Sequence, residues 1–176
     1  MNSSIKIVLF VLLLSSCLNN QKENSSTYYH EPLRSFNKLE ACSSVSNDVF
    51  VRDGQKIIFC FNGNCAICFY KCKQFYSLFH QTLEQKRIPA FFVFISEFKD
   101  ESLFNFEKMK MGQPVFHDIN NEFTGSNNLD VSVEPQVLFI DKGKNVFLFK
   151  DLLNSSNEKK QFIKLIADDG NTIPDS

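Results

Sequence analysis

The 176-residue sequence predicts an α/β fold built on a mixed sheet, and three observations carry that reading. Short, nearly unbroken apolar runs at Ile57–Phe61, Pro89–Ser96 and Pro135–Ile140 have the character of strands buried on both faces. Stretches with helical periodicity alternate with them. A further apolar run, Asn145–Phe149, follows the turn Asp141-Lys142-Gly143-Lys144, which predicts an antiparallel hairpin, and a closing helix comes after it.

Taken in order, Ser35–Cys42 is expected to form a short helix with Phe36 and Leu39 on one side, and Val49–Arg52 a short strand before the Asp53-Gly54 turn. Ile57–Phe61 is the central strand, and Asn62-Gly63-Asn64 breaks it. From Cys65 to about Lys86 the pattern is helical: Cys68, Cys72, Phe75, Phe79 and Leu83 make one stripe facing a core. After the strand at Pro89–Ser96, Asp100–Met111 reads as a helix closed by Gly112, Val115–Asp118 as a short strand and Gly125–Asn128 as loop. Ser155-Ser156-Asn157-Glu158 has capping-box spacing, with Phe162, Leu165 and Ile166 following on one helix face.

The chemistry concentrates at Cys65-Ala66-Ile67-Cys68, set between the central strand and the long helix. A thiol at a helix N-terminus faces unpaired backbone N–H groups and the positive end of the macrodipole, which favours thiolate over thiol. A second thiol three residues on lies one turn away and can close a disulfide. A CxxC can also be an inert structural pair or part of a metal site, and the strand–break–helix setting favours the redox reading. Cys72 packs as a small apolar residue or serves as a third thiol; Cys60 is core; Cys42 is a free thiol or has a partner elsewhere. His117 beside Asp118 is either a solvated strand end or a ligand-orienting pair, and His80 belongs on the exposed flank of the long helix.

The termini are separate from the domain. Residues 1–16 have a short n-region and the apolar run Ile7–Leu14, too short to span a bilayer. Leu14-Ser15-Ser16-Cys17 resembles a bacterial lipobox, which implies cleavage before Cys17 and a lipid on it. Residues 17–34 are then the lipidated cysteine and a flexible tether, 35–168 one domain, and 169–176 a polar tail. Export places the domain in the cell envelope, outside the cytoplasm, where disulfides persist. Five cysteines follow Cys17, an odd number that argues against a stapled scaffold. The net charge of −1 gives no sign of a nucleic-acid partner, and a monomer is expected.

Over Ser35–Asp168 the chain resembles thioredoxin-fold oxidoreductases of the membrane-anchored TlpA type, related to the AhpC/TSA superfamily. The resemblance rests on Ile57–Cys68, on Val133-Glu134-Pro135-Gln136-Val137-Leu138-Phe139-Ile140-Asp141 and on Lys142-Gly143-Lys144. It implies a thioredoxin-like fold and thiol–disulfide exchange with protein substrates, with Cys65 the nucleophile and Cys68 the resolving thiol. It implies an envelope electron donor, and no cofactor beyond the redox-active pair and the lipid. It makes Pro135 a cis proline lying against the CxxC, where it and Glu134 would meet substrate. By residue chemistry alone, Pro135 reads first as a proline opening a strand.

The family's usual helpers are absent. Phe59 stands where thioredoxins carry a buried Asp, Asn64 where they carry an aromatic residue, Ile67 in place of the usual Pro, and Lys71 where TlpA-type proteins often have Glu. Glu134 is the nearest carboxylate, and its charge is expected to disfavour thiolate at Cys65 and tilt the protein toward reductant. Two other readings stand beside the reductant. One is a Sco-like copper protein using Cys68-x-x-x-Cys72 and His117; the other is a redox-inert binding lipoprotein of the same fold. No metal is assigned to the CxxC itself.

Overall fold

The computed structural model describes residues 28–43, 46–50, 52–142 and 144–167. The expected signal segment, Cys17 and the polar tail lie outside these residues. Seven strands form one mixed sheet. They are β1 (Tyr28–His30), β2 (Leu39–Ala41), β3 (Lys56–Asn62), β4 (Ala90–Ile95), β5 (Val115–Asp118), β6 (Gln136–Ile140) and β7 (Val146–Phe149). Their order across the sheet is β1-β7-β6-β3-β4-β5-β2. β3, β4 and β5 run parallel, and the other neighbours pair antiparallel. The helices are α1 (Ala66–Lys86), α2 (Lys99–Lys108), α3 (Glu122–Ser126) and α4 (Ser156–Ala167). This is a thioredoxin-like α/β plan, as expected.

Alternation along β3 sorts the core into two layers. Ile57, Phe59 and Phe61 point to the face covered by α1, α2 and α4, where Phe75, Phe79, Phe106 and Phe162 meet them. Ile58 and Cys60 point to the other face, toward Leu39, Phe50, Phe116 and Phe123. Every residue of the predicted α1 stripe is buried. Phe75 sits at the centre, with ring centroids 5.0 Å from Phe59, 5.2 Å from Phe79 and 6.0 Å from Phe162.

The structure departs from the sequence reading at the edges. Phe36–Lys38 is a 3-10 turn, and Leu39–Ala41 leaves it as strand β2 rather than continuing a helix. Asn47–Phe50 is also a 3-10 turn, not a strand. The buried Lys56 ammonium accounts for the latter: it donates to the carbonyls of Val49, Phe50 and Arg52, which an in-sheet strand would have turned to a neighbour. Gly125 and Ser126 lie in α3, not in loop, because Asp118 accepts from the N–H groups of Phe123 and Thr124 and anchors that turn. Tyr28–His30, inside the expected tether, pairs with β7. The capping box is half formed: Ser155 Oγ accepts from Glu158 N–H, while the Glu158 carboxylate takes the Asp151 N–H. Among the described residues no helix is long and apolar enough to cross a membrane.

The Phe cluster sets a stability expectation. Phe75→Ala is expected to cost about 3–5 kcal/mol, because the cavity is walled by rigid rings that cannot close over it. Urea unfolding would show a lower midpoint at unchanged slope; a loss under about 1 kcal/mol would contradict this packing.

Candidate active site

The site begins where β3 ends. Asn62, Gly63 and Asn64 form a turn closed by Gly63 N–H to Ile95 O at 2.8 Å and Cys65 N–H to Asn62 O at 3.3 Å. Gly63 is buried, and a Cβ there would stand 2.8 Å from Ser102 Oγ, so the turn admits only glycine without movement. Ser102 Oγ donates to Gly63 O, and Ser96 Oγ donates to Asn64 Oδ1 at 2.6 Å. These bonds tie the turn to the C-terminal end of β4 and to α2.

Cys65 is the N-cap of α1. Its backbone is extended, and its Sγ accepts from the Cys68 N–H at 3.3 Å. The same Cys68 N–H also donates to the Cys65 carbonyl at 3.0 Å, so the sulfur shares a first-turn donor with the backbone. Cys65 is half-buried, whereas Cys68 is 1 % exposed. Burial pushes the Cys68 thiol up to about 12, and the hydrogen bond and charge of Cys65 add to that. The Asn62 backbone and the Lys71 ammonium work in the other direction. Both thiols are free in this structure. The expected pair is therefore brought together, with one sulfur at the surface and one beneath it.

Glu134 is not a lone charge beside the dithiol. Its carboxylate forms an ion pair with Lys71, on the second turn of α1. Lys71 and Glu134 line a small pocket with Phe59, Pro135 and Val137. The expected cis peptide at Pro135 is corrected: no peptide bond among the described residues is cis. The trans form of an X–Pro bond is intrinsically favoured by roughly 0.5–1 kcal/mol, and the pairing of Glu134 with Lys71 is made with it. Pro135 is buried immediately before β6 and lies near the end of β3, since Gln136 pairs with Cys60.

Burial raises the remaining thiols. Cys60 and Cys72 are fully buried, and burial raises both thiols far above their usual range. Cys42, on the edge beyond β2, is half-buried and also raised by burial. His117 and Asp118 do not form a pair, because successive strand residues point to opposite faces. His117 is buried and stacks on Phe94, its Nε2 donating to Ser96 O at 3.0 Å. Its Nδ1 lies 3.7 Å from the Glu40 carboxylate, which Lys99 holds at 2.6 Å. His80 is half-buried and bonded to Tyr76 O. Sequence reasoning missed the Ser96–Ser102–Asn64 network. The signal was there: Ser96 closes a parallel strand, and ligand sites in open α/β sheets gather at such ends.

No protein-family model matches the chain, and no curated protein matches it by sequence. Solved structures do. A proposed thiol:disulfide interchange protein DsbE from Chlorobium tepidum superposes with a TM-score of 0.64 at 11 % identity, over 80 % of this chain and 99 % of that one. A secreted Mycobacterium tuberculosis disulfide oxidoreductase homologous to Escherichia coli DsbE gives 0.54 at 7 % identity, over 83 % and 98 %. An uncharacterized thioredoxin-like protein from Porphyromonas gingivalis gives 0.53 at 20 % identity, over 78 % and 92 %. At these identities the likeness is one of fold, and the fold is thioredoxin-like.

Two expectations follow from the geometry. Iodoacetamide at pH 8 should modify Cys65 before Cys68, with Cys60 and Cys72 protected until unfolding; peptide mapping that finds Cys68 labelled first would contradict the site. Lys71→Met and Glu134→Gln should be non-additive by only about 0.2–1 kcal/mol in a denaturation double-mutant cycle, because both groups keep solvent contact.

Proposed function

We propose that this protein is a lipid-anchored thiol–disulfide oxidoreductase of the cell envelope, acting on protein disulfides as a reductant. The observation that carries the reading is Cys65 capping α1 with its own sulfur while Cys68 lies buried one turn below. The Cys65 thiolate attacks one sulfur of a substrate disulfide, forming a mixed disulfide and releasing the other sulfur as thiolate, which takes up a proton. Cys68 then gives up its proton, attacks Cys65 Sγ, and expels the second substrate sulfur as thiolate. The substrate gains two electrons and two protons, and the protein is left with a Cys65–Cys68 disulfide. An envelope dithiol donor restores the reduced pair.

The reductant direction rests on the resemblance to TlpA-type proteins. Burial keeps Cys68 as a thiol, which suits a resolving cysteine in either direction. The expected Glu134 effect adds little, since Lys71 offsets its charge. The copper reading is less favoured, because Cys68 and Cys72 are both sealed from solvent and His117 is engaged with Ser96. The anchor rests on the lipobox at Leu14–Cys17.

Insulin reduction tests the proposal. Turnover should be present in wild type and fall to the uncatalysed background in Cys65→Ser, while Cys68→Ser should accumulate a mixed disulfide. Background turnover in wild type would favour the redox-inert alternative. Equilibration against glutathione should give a potential below roughly −200 mV; a value near −120 mV would reverse the direction.

A further inference from the structure

His117, on β5, is joined to the dithiol turn through one serine. Its Nε2 lies 3.0 Å from Ser96 O, and a carbonyl can only accept, so Nε2 carries a proton. In the neutral ring Nδ1 is then a bare lone pair. It is buried, finds no hydrogen-bond partner among the described residues, and faces the Glu40 carboxylate at 3.7 Å. A proton on Nδ1 turns that approach into an ion pair. It also makes the Nε2–H bond to Ser96 O charge-assisted, which strengthens it.

Ser96 is where the bonds converge. Its carbonyl serves His117. Its Oγ accepts from the Phe98 N–H at 2.9 Å, lies 2.7 Å from Ser102 Oγ, and donates to Asn64 Oδ1 at 2.6 Å. Asn64 directly precedes Cys65, and its own N–H donates to Asn62 Oδ1 at 2.9 Å. The end of β4 thus holds the residue that leads into the cap, and His117 holds the end of β4.

The charged surroundings of His117 come from two elements. On β2, Glu40 is its register partner, and Cys42, two residues on, is held as a thiol by burial. At the start of α2, Lys99 Nζ takes the other Glu40 oxygen at 2.6 Å. That bond holds Glu40 below the usual carboxylate range, so a carboxylate faces Nδ1. From β4 the Phe94 ring stacks on the imidazole at 5.0 Å. Asp118 points to the opposite face, where the N–H groups of Phe123 and Thr124 donate to it.

We propose that His117 is a positioning residue for Cys65, acting through Ser96 and Asn64, and that gain of a proton on its ring tightens that hold. This rests on the thiol–disulfide reading and adds a regulation of the same site: the reactivity of Cys65 follows the charge state of a histidine at the sheet edge. The exchange itself stays with Cys65 and Cys68.

The test uses the full chain carrying Cys68→Ser, in which the Cys65 thiolate attacks a dipyridyl disulfide, keeps one half as a mixed disulfide and releases the other as a coloured thiolate. Peptide mapping assigns the label to Cys65. His117→Gln keeps an amide N–H near the Nε2 position but gains no charge; His117→Phe keeps the stack on Phe94 but has no donor; Ser96→Ala breaks the link to Asn64. Rates are compared with the parent at each pH from about 8 down to about 5.5, the range in which an ordinary imidazole changes charge. H117Q should react nearly as fast as the parent at the alkaline end and several-fold more slowly at the acidic end. H117F and S96A should be several-fold slower throughout. H117F at the parent rate with H117Q slow would reduce His117 to a space-filling ring. An H117Q ratio that does not change with pH would remove the role of its charge, and S96A at the parent rate would break the route through Ser96. Each of these overturns the proposal. If H117F does not unfold cooperatively in urea, H117Q and S96A carry the test. Wild type that fails to reduce insulin while the variants show the expected rates would remove the oxidoreductase reading and leave the positioning. Insulin reduction with no variant altered would do the reverse.

Discussion

β3 is the element on which the site depends. It is hydrogen-bonded on both sides, to β4 in parallel and to β6 antiparallel, and it is buried on both faces. A strand held this way cannot slide: a one-residue slip would drive Phe59 and Phe61 into the wrong layer. Its end is therefore a fixed point, and the Asn62–Cys65 turn hangs from it. The turn is short because Gly63 packs against Ser102, and it is rigid because Ser96 and Ser102 bond to it. The position of one sulfur is thus set by backbone pairing several residues away. The Phe layers hold the strand; the strand holds the turn; the turn places Cys65 as the helix cap.

Burial then separates the cysteines. Five cysteines lie in the described residues, and four of them have their thiols raised by burial. Cys65 alone combines partial exposure with a helix N-terminus. Thiol–disulfide exchange needs an accessible thiolate, so under the proposed function Cys65, and not the equally half-buried Cys42 at the sheet edge, is the entry point because it also sits at a helix N-terminus. Cys72 shows why proximity in sequence is not enough. It shares the α1 face with Cys68, but side chains four apart on a regular helix have Cβ atoms about 5–6 Å apart, beyond the ~3.5–4.5 Å of a disulfide. Cys65 escapes that limit because, as cap, its backbone is extended rather than helical.

The parts of the fold with strong periodicity were legible in the sequence. The α1 stripe, the central apolar strands and the β6–β7 hairpin are long or uniform enough that burial dictates their residues. The edges were not. β1 and β2 are three residues each and flank the sheet, so one partner strand rather than a core pattern defines them. The 3-10 turn at Asn47–Phe50 depends on a lysine six or more residues away, which no local pattern reveals. At the site, the dithiol was legible because its motif is local. The Lys71–Glu134 pair was not, because it joins residues 63 apart in sequence. Each looked like an isolated departure, a lysine in place of a glutamate and a stray carboxylate near a proline.

That pair also changes what the missing helpers mean. With Phe59 in place of a buried carboxylate, the space beneath the dithiol is apolar and needs no compensating charge. The polar groups sit at its rim instead, where Lys71 and Glu134 neutralise each other and keep contact with water. A fully buried ionisable group would carry a desolvation cost of several kcal/mol, whereas a paired, partly exposed lysine and glutamate carry less. Cys68 is thereby packed within the apolar core that holds Phe59, Phe61 and Phe75. Its proton is held by low polarity rather than by a basic neighbour. Under the proposed function, a mixed disulfide on Cys65 would remove the opposition of that sulfur to ionisation of Cys68. Ordering the two thiols this way needs only a strand end, a helix start and a phenylalanine, all of which the fold already supplies.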